Sequence, residues 1–472
     1  MNDIVQMSLT EVADAIRSKK VSAVEATQAC IAQAEKWQPK INAYVTFDPD
    51  GALEQAKQAD ADLAAGNVRG SLHGVPLAHK DLFYRKGRRI TCASKILGNL
   101  VADYDATVLQ RLAAAGALHL GGLNMSELAV GAGGRNEHFG HCRNPWNPEH
   151  ITGGSSSGSG ASVAAHMAFG ALGTDTGGSI RIPSSMCGVV GIKGTFGRVS
   201  RRGVMPLSYS LDNAGPMTRT VKDCARMYGI VAGADPDDPS AANEPVPDYE
   251  AALDGASVKG LRIGVPTSYF YDDAAPSVRS ALAAALDVYR SLGATIVDVD
   301  VPDQEVLRDL CNVVLKVEVA NIHAEWLRTR TNEYSTEVRA RMEAGLYIPG
   351  VRYLQAQRLR GEHVKAFCDQ VFAKCDVLHT PGLPIEVPTL ADTDAAVGEN
   401  ALAINEKLAW STRGLNYLGL PGLSVPCGFS ANGMPVGQQL IGPPFSEDLL
   451  FEVGHAYQRE TDWHTMAPTL PA

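Results

Sequence analysis

Leu9, Val12 and Ile16 recur at the three-and-four spacing of a helix that buries one stripe. Ser8-Leu-Thr-Glu11 and Ser22-Ala-Val-Glu25 each set a serine three residues ahead of a glutamate. In that pattern the two side chains satisfy free N–H groups of a first helical turn. Two or three helices are therefore expected over residues 1–65. From about residue 71 the texture changes to short apolar runs broken by glycine, at 75–78, 117–120 and 189–192. Runs of that length between helices read as buried strands, which predicts an α/β core.

Residues 234–258 are rich in Pro and Asp and read as an exposed connection. A βαβ pattern follows: a strand over 261–265, a helix capped by Ser277 that ends near Gly293, and a returning strand over 294–301. Residues 303–372 look helical and charged, a wall or lid beside the core. Near the end, apolar runs at 422–429 and 434–441 flank Asn432-Gly433, which predicts a two-residue hairpin turn. No internal repeat or low-complexity tract interrupts this order.

Composition narrows the function classes. The 472 residues carry 42 Lys+Arg against 52 Asp+Glu, a net charge of −10. That balance argues against nucleic acid as a partner, since phosphate contacts need clustered basic residues. The basic cluster at 198–202 is too short to alter it. The nine cysteines are scattered without a C-x-x-C pair, so neither a disulfide framework nor a zinc site is expected. The first twenty residues lack an apolar signal-peptide core, and no run of 18 apolar residues occurs. These features read as a soluble cytoplasmic protein without a membrane span.

The densest candidate for chemistry is Thr152-Gly-Gly-Ser-Ser-Ser-Gly-Ser-Gly-Ala161, which runs directly into an Ala-rich helix. A flexible linker is one reading, but a linker rarely separates an Asn144-Pro-Trp146 loop from a buried helix. A phosphate loop lacks the required Lys-Ser/Thr. Gly154-Ser-Ser156-Ser-Gly158 also matches the nucleophile elbow, which requires an apolar strand before it. The preceding Asn144-Pro-Trp-Asn-Pro-Glu-His150 cannot be a central strand.

Downstream, Gly173-Thr-Asp-Thr-Gly-Gly-Ser179-Ile-Arg-Ile-Pro183 places a second serine behind two glycines. The stretch 153–183 resembles the long signature of the amidase signature family. His73-Gly-Val-Pro-Leu-Ala-His-Lys80 is similar to the family's lysine strand. Gly140-His-Cys-Arg-Asn-Pro-Trp146, the run from Gly188 to Arg198 and Leu420-Pro-Gly-Leu-Ser-Val-Pro-Cys-Gly428 extend the likeness. The resemblance implies one domain over 1–472, a mixed central sheet flanked by helices. Its parts would be N-terminal helices (1–65), a catalytic core (71–230), a variable substrate wall (234–372) and a C-terminal part of the core (373–472).

The resemblance further implies Ser179 as nucleophile, Ser155 as bridging serine and Lys80 as base. It implies a cis peptide bond between Gly154 and Ser155. A hydroxyl needs an adjacent base to attack at neutral pH, and a lysine serves only when burial keeps it neutral. Backbone N–H groups of Thr176, Gly177, Gly178 and Ser179 are the expected oxyanion donors. Ser156 and Thr174 would orient the lysine and the bridging serine, and Asp175 and Arg181 would hold the loop's shape. No metal or cofactor is expected.

Several conspicuous residues receive plainer expectations. His73, His79, His138 and His141 shape the surroundings, Glu127 caps a helix start, and Cys187 and Cys427 are buried. Phe139 and Trp146 could line an acyl pocket, with Met342, Tyr347 and Tyr353 on the amine side; core packing fits each of these equally well. Residues 130–142 and 234–372 are expected to set specificity. The substrate is a small amide, or alternatively a carbamate or urea-type C–N compound. A further alternative is the A-type chain of a glutamyl-tRNA amidotransferase, which feeds ammonia to a partner protein. Such chains usually read Arg-Gln-Pro after the nucleophile and Ser-Thr-Glu-Asn in the upstream loop. Here Arg181-Ile-Pro183 and the loop from Gly133 to Gly140 differ, which favours a self-sufficient hydrolase. The resemblance leaves a homodimer open.

Overall fold

The computed structural model describes residues 2–470. One sheet of eleven strands runs through it: β1 (Tyr44–Phe47), β2 (Pro76–Lys80), β3 (Leu118–Leu123), β4 (Gly170–Asp175), β5 (Val190–Lys193), β6 (Asn213–Thr218), β7 (Arg262–Pro266), β8 (Thr295–Val299), β9 (Val377–Pro381), β10 (Gly422–Phe429) and β11 (Pro435–Ile441). Their spatial order is β1-β3-β2-β4-β6-β5-β10-β11-β9-β7-β8. The β2–β3, β2–β4, β7–β8 and β7–β9 pairs are parallel and the others antiparallel, so the sheet is mixed. Strands β2, β4, β5, β6 and β9 are buried along their whole length. Their mostly apolar and small residues fit burial on both faces, and the few charged side chains among them, Lys80, Asp175 and Lys193, are buried as well.

The first 65 residues hold more structure than their periodicity predicts. Four helices, Asn2–Gln6, Leu9–Arg17, Ala23–Ile41 and Pro49–Ala64, accompany the edge strand β1. Both expected capping boxes form, on Ser8 with Glu11 and on Ser22 with Glu25. The βαβ unit is present, but its helix spans Pro276–Ser291 with Ala275 at the N-cap. Proline at the first helical position supplies the start, and Ser277 donates its hydroxyl to Glu386 instead. The β10–β11 connection also differs. Gly433 N–H bonds to Ser430 O, and Gly433 alone takes positive φ, at 76°. The loop is thus a turn closed by a left-handed glycine, with Asn432 Oδ1 accepting from Ser430 Oγ.

The Gly/Ser segment becomes the helix Ser157–Ala164, all eight of whose residues are buried. Its composition follows from how closely it packs. A Cβ on Gly158 would stand 2.4 Å from Ala43 O and 2.6 Å from Asn124 N. A second buried helix, Arg181–Cys187, ends at Gly188 in the left-handed region, at φ 69°. The 303–372 stretch supplies the long helix Gln304–Thr329 and two more, Thr336–Glu343 and Gly350–Phe367. Among the described residues, no helix is long and apolar enough to cross a membrane.

Candidate active site

Strand β2 carries Lys80 at its C-terminal end, with only 1% of its surface exposed. Its ammonium nitrogen lies 2.7 Å from Ser155 Oγ and 2.8 Å from Thr174 Oγ1. Thr174 comes from the neighbouring strand β4, and Ser155 from the loop entering the helix Ser157–Ala164. A strand and two segments some distance downstream of it therefore converge on one amine. Burial pushes the Lys80 pKa down to about 7, and nearby Asp212 and Asp175 only partly oppose it. A lysine lowered this far is readily a neutral amine near neutral pH, able to accept a proton.

The serine loop is fixed by its backbone. The Gly154–Ser155 peptide bond is cis. Gly154 N–H donates to Ala132 O at 2.6 Å, and Ser126 N–H donates to Ser155 O at 3.1 Å. Ser156 Oγ receives the N–H of Thr174 and donates to its carbonyl, both at 3.2 Å. Ser156 N–H donates to the carbonyl of Ser179 at 3.3 Å. These bonds join Lys80, Ser155 and Thr174 through their side chains, and tie Ser179 to the same loop through its backbone carbonyl. Ser179 is partly exposed and faces a cavity of about 110 Å³, while Ser155 and Ser156 lie beneath it, buried.

The loop behind Ser179 is held by a buried ion pair. Asp175 receives the side chain of Arg181 on both carboxylate oxygens at 3.0 Å. Arg181 also reaches Gln439 Oε1 at 2.7 Å and Asn416 Oδ1 at 2.6 Å, joining the loop to β11 and the helix Arg413–Leu418. Burial acts to raise the Asp175 carboxyl, but Arg181, Lys193 and Asn416 outweigh it and hold it below the usual range. One consequence alters the expected donor set. Asp175 Oδ1 accepts the N–H of Gly178 at 2.7 Å. Gly178 therefore stiffens the turn, and Thr176, Gly177 and Ser179 are the remaining backbone donors of the four. The Gly178 position, at φ 126°, also excludes any side chain: a Cβ would lie 2.2 Å from Thr412 Oγ1.

Other sequence expectations divide. Cys187 and Cys427 are buried, and burial raises both thiols. His79 is buried beside the lysine, where burial and Arg85 lower it to about 3; its Nδ1 accepts the Leu172 N–H. His73 pairs with Ala59 O, and His141 Nδ1 accepts the Asn136 N–H. Glu127 is no helix cap. It is buried and gathers Ser94 Oγ, His138 Nε2 and the Ser335 N–H, tying the core to the helical wall. Phe139, Trp146, Met342, Tyr347 and Tyr353 do not line the cavity. Trp146 donates to Cys187 O and packs on Phe429, Tyr347 is 84% exposed, and Tyr353 donates to Glu318.

The cavity walls come instead from 129–132, Ile182, Leu207, one face of the helix Gln304–Thr329, Arg341 and Arg413. Of the segments expected to set specificity, 130–142 contributes Val130, Gly131 and Ala132 to the lining, and 234–372 contributes Asn312, Leu315, Lys316, Val319 and Arg341. Asp212, which receives the Thr176 hydroxyl at 2.6 Å, and Arg413 carried no motif that marked them. A wider cleft of about 570 Å³ lies elsewhere, near Glu11, Arg219 and His455, and holds none of the expected catalytic residues. Among the described residues, no group of acidic, His or Cys side chains could hold a metal ion.

A mixed sheet that delivers one buried lysine to a run of serines under a small cavity defines an enzyme acting on amide C–N bonds. The chain belongs to the amidase family, whose model matches residues 25–451. It is 42% identical over 488 residues to the A-type chain of a glutamyl-tRNA(Gln) amidotransferase from Roseiflexus sp. (strain RS-1), covering 99% of each. Among solved structures it is similar to a protein described in a vestigial complex bearing on the origins of an s-triazine catabolic enzyme. That match has a TM-score of 0.89 and 35% identity over 99% of this chain and 100% of the other. A peptide amidase in complex with chymostatin matches with a TM-score of 0.85 and 30% identity, over 99% of both.

Proposed function

We propose that the chain hydrolyses amides through Ser179, Ser155 and Lys80 by way of an acyl-enzyme. The observation that carries this reading is the 2.7 Å contact between the buried Lys80 amine and Ser155 Oγ. Neutral Lys80 takes the Ser155 proton as Ser155 takes that of Ser179, and Ser179 Oγ attacks the carbonyl carbon. Backbone N–H groups of Thr176, Gly177 and Ser179 stabilise the resulting oxyanion. The proton then returns through Ser155 to the leaving nitrogen, the C–N bond breaks, and an ester to Ser179 remains. Water then attacks that ester as its proton passes through Ser155 to Lys80; the acyl–oxygen bond breaks, the proton returns through Ser155 to Ser179 Oγ, and the acid leaves.

Two readings of its role differ in partner. Full-length likeness to A-type amidotransferase chains favours a protein that releases ammonia for a partner. A self-sufficient hydrolase of amides or carbamates is favoured by Ile182 after Arg181 and by the loop from Gly133 to Gly140. The test is amine release by the purified chain, with Ser179→Ala as control, on a panel of primary amides, aryl amides, esters and aryl carbamates. Loss of turnover by about 10⁴-fold or more in the variant supports the nucleophile; wild-type turnover in it sinks the assignment. Activity of the chain alone favours the self-sufficient enzyme. Activity only with an added amidotransferase partner favours the ammonia-supplying role.

A further inference from the structure

The cavity above Ser179 has a charge character that amide hydrolysis does not require. Lys316, Arg341 and Arg413 line it, and among the described residues no aspartate or glutamate does. The rest of its wall is largely apolar, with Val130, Ile182, Leu315 and Val319. Arg413 stands closest to the reacting loop: its Nε would be 3.3 Å from a Cβ built on Gly177. One end of that guanidinium donates to Asn312 Oδ1 at 2.8 Å. Its Nε is buried without a hydrogen-bond partner.

A cation with a buried N–H is stable when a carboxylate or other anion completes its hydrogen bonds. Arg181, a few residues past Gly177, has such a partner in Asp175, and Arg341 reaches Glu337 on its own helix at 2.6 Å. Among the described residues, Arg413 has only the neutral amide oxygen of Asn312. Burial pushes its pKa below the usual range, and the like charges of Arg341 and Arg308 add to that. No carboxylate of the described chain supplies the missing anion, while the open side of the guanidinium borders the cavity.

We propose that this cavity binds an amide that carries a carboxylate and no ammonium group, with Arg413 as the principal partner of that carboxylate. The assignment rests on the hydrolase reading above and names its substrate class. A carboxylate on the Arg413 fork makes charge-assisted hydrogen bonds, supported by the fields of Arg341 and Lys316. An amino-acid amide would bring its ammonium among Arg413, Lys316 and the Glu337-paired Arg341, with no acidic side chain lining the cavity to receive it, an arrangement that selects against it. The cavity is small, about 110 Å³, which favours a short carboxylated amide over a long one.

The experiment is calorimetric binding to the full chain carrying Ser179→Ala, which removes turnover from the readout. Succinamate is compared with butyramide, its neutral analogue, and with glutamine. Succinamate binding at least about tenfold tighter than either supports the proposal, and adding Arg413→Gln should cut its affinity about 10- to 100-fold. The butyramide-to-succinamate ratio then approaches one, a result that general loss of folded protein does not produce. Arg413→Lys, which keeps a charge and loses the fork, should fall between the two and serves if Arg413→Gln does not fold. Equal binding of butyramide, unchanged preference in the Arg413 variants, or glutamine binding as tightly as succinamate each overturns the proposal. Turnover by Ser179→Ala would instead sink the nucleophile assignment and leave the binding preference readable.

Discussion

Two lysines at strand ends share almost the same physics and have different surroundings. Lys80 ends β2 and Lys193 ends β5; both are buried, and burial pushes each down to about 7. Lys193 spends its amine on the carbonyl of Gly194 at 2.7 Å, with the charges of Arg181, Asp175 and Glu447 around it. Lys80 faces two hydroxyls, Ser155 and Thr174. A carbonyl can only accept a hydrogen bond, so nothing passes a proton to Lys193. A hydroxyl both accepts and donates, so the Ser155 contact is a route. Burial makes a lysine neutral; the atoms beside it decide whether neutrality is useful.

The largest break in this comparison is Lys80→Met, which should lower kcat by about 10²- to 10⁴-fold while the chain still folds. Single-turnover amide hydrolysis measures it, and a variant within tenfold of wild type would remove Lys80 from the chemistry. Next comes pH. With Lys80 at about 7, kcat/KM should fall about tenfold for each unit below that and level off above it. A rate flat from pH 5 to 9, with chemistry limiting, would contradict a lysine base. Thr174→Val removes one of the two hydroxyls on the amine and should cost about tenfold in kcat. The smallest effect on turnover is expected from Lys193→Met, about threefold or less.

Stability separates the pair in the opposite sense. Each lysine has a folded pKa near 7 against the ordinary 10.5 of the side chain. Between those values the folded state binds fewer protons, so stability rises with pH across that window, and below about 7 the full cost of the buried charge applies. Lys193→Met should flatten about half of that rise in urea titrations at pH 7 and 10 and leave the pH profile of turnover in place. If it moved the turnover profile, the two lysines would be one coupled system.

Much of this centre was legible in the chain because its parts are local words. Gly154-Ser155-Ser156 and Thr176-Gly-Gly-Ser179 are contiguous, and close packing constrains them strongly enough to leave a pattern. The parallel and antiparallel strands left apolar runs for the same reason. What could not be read was set by long-range neighbours. Nothing in the sequence shows that Asp175 takes the Gly178 N–H, or that Arg413 reaches a loop more than two hundred residues upstream. Glu127 looked like a cap because Ser335, Ser94 and His138 converge on it only in three dimensions. The edge strand β1 escaped notice because it is four residues long and half-exposed. Tyr353 looked like a wall residue, yet Glu318 lies within its reach and holds its hydroxyl away from the cavity.

The bonds from Arg181 to Asn416 and Gln439 have a consequence for how the molecule comes into being. They span 235 and 258 positions, and long-range pairings of this kind form late in folding. A ribosome that has just finished the serine loop has made Ser179, the proposed nucleophile, without the partners that hold its loop in shape. A growing chain that has not yet reached Asn416 and Gln439 lacks the side chains that brace this loop through Arg181.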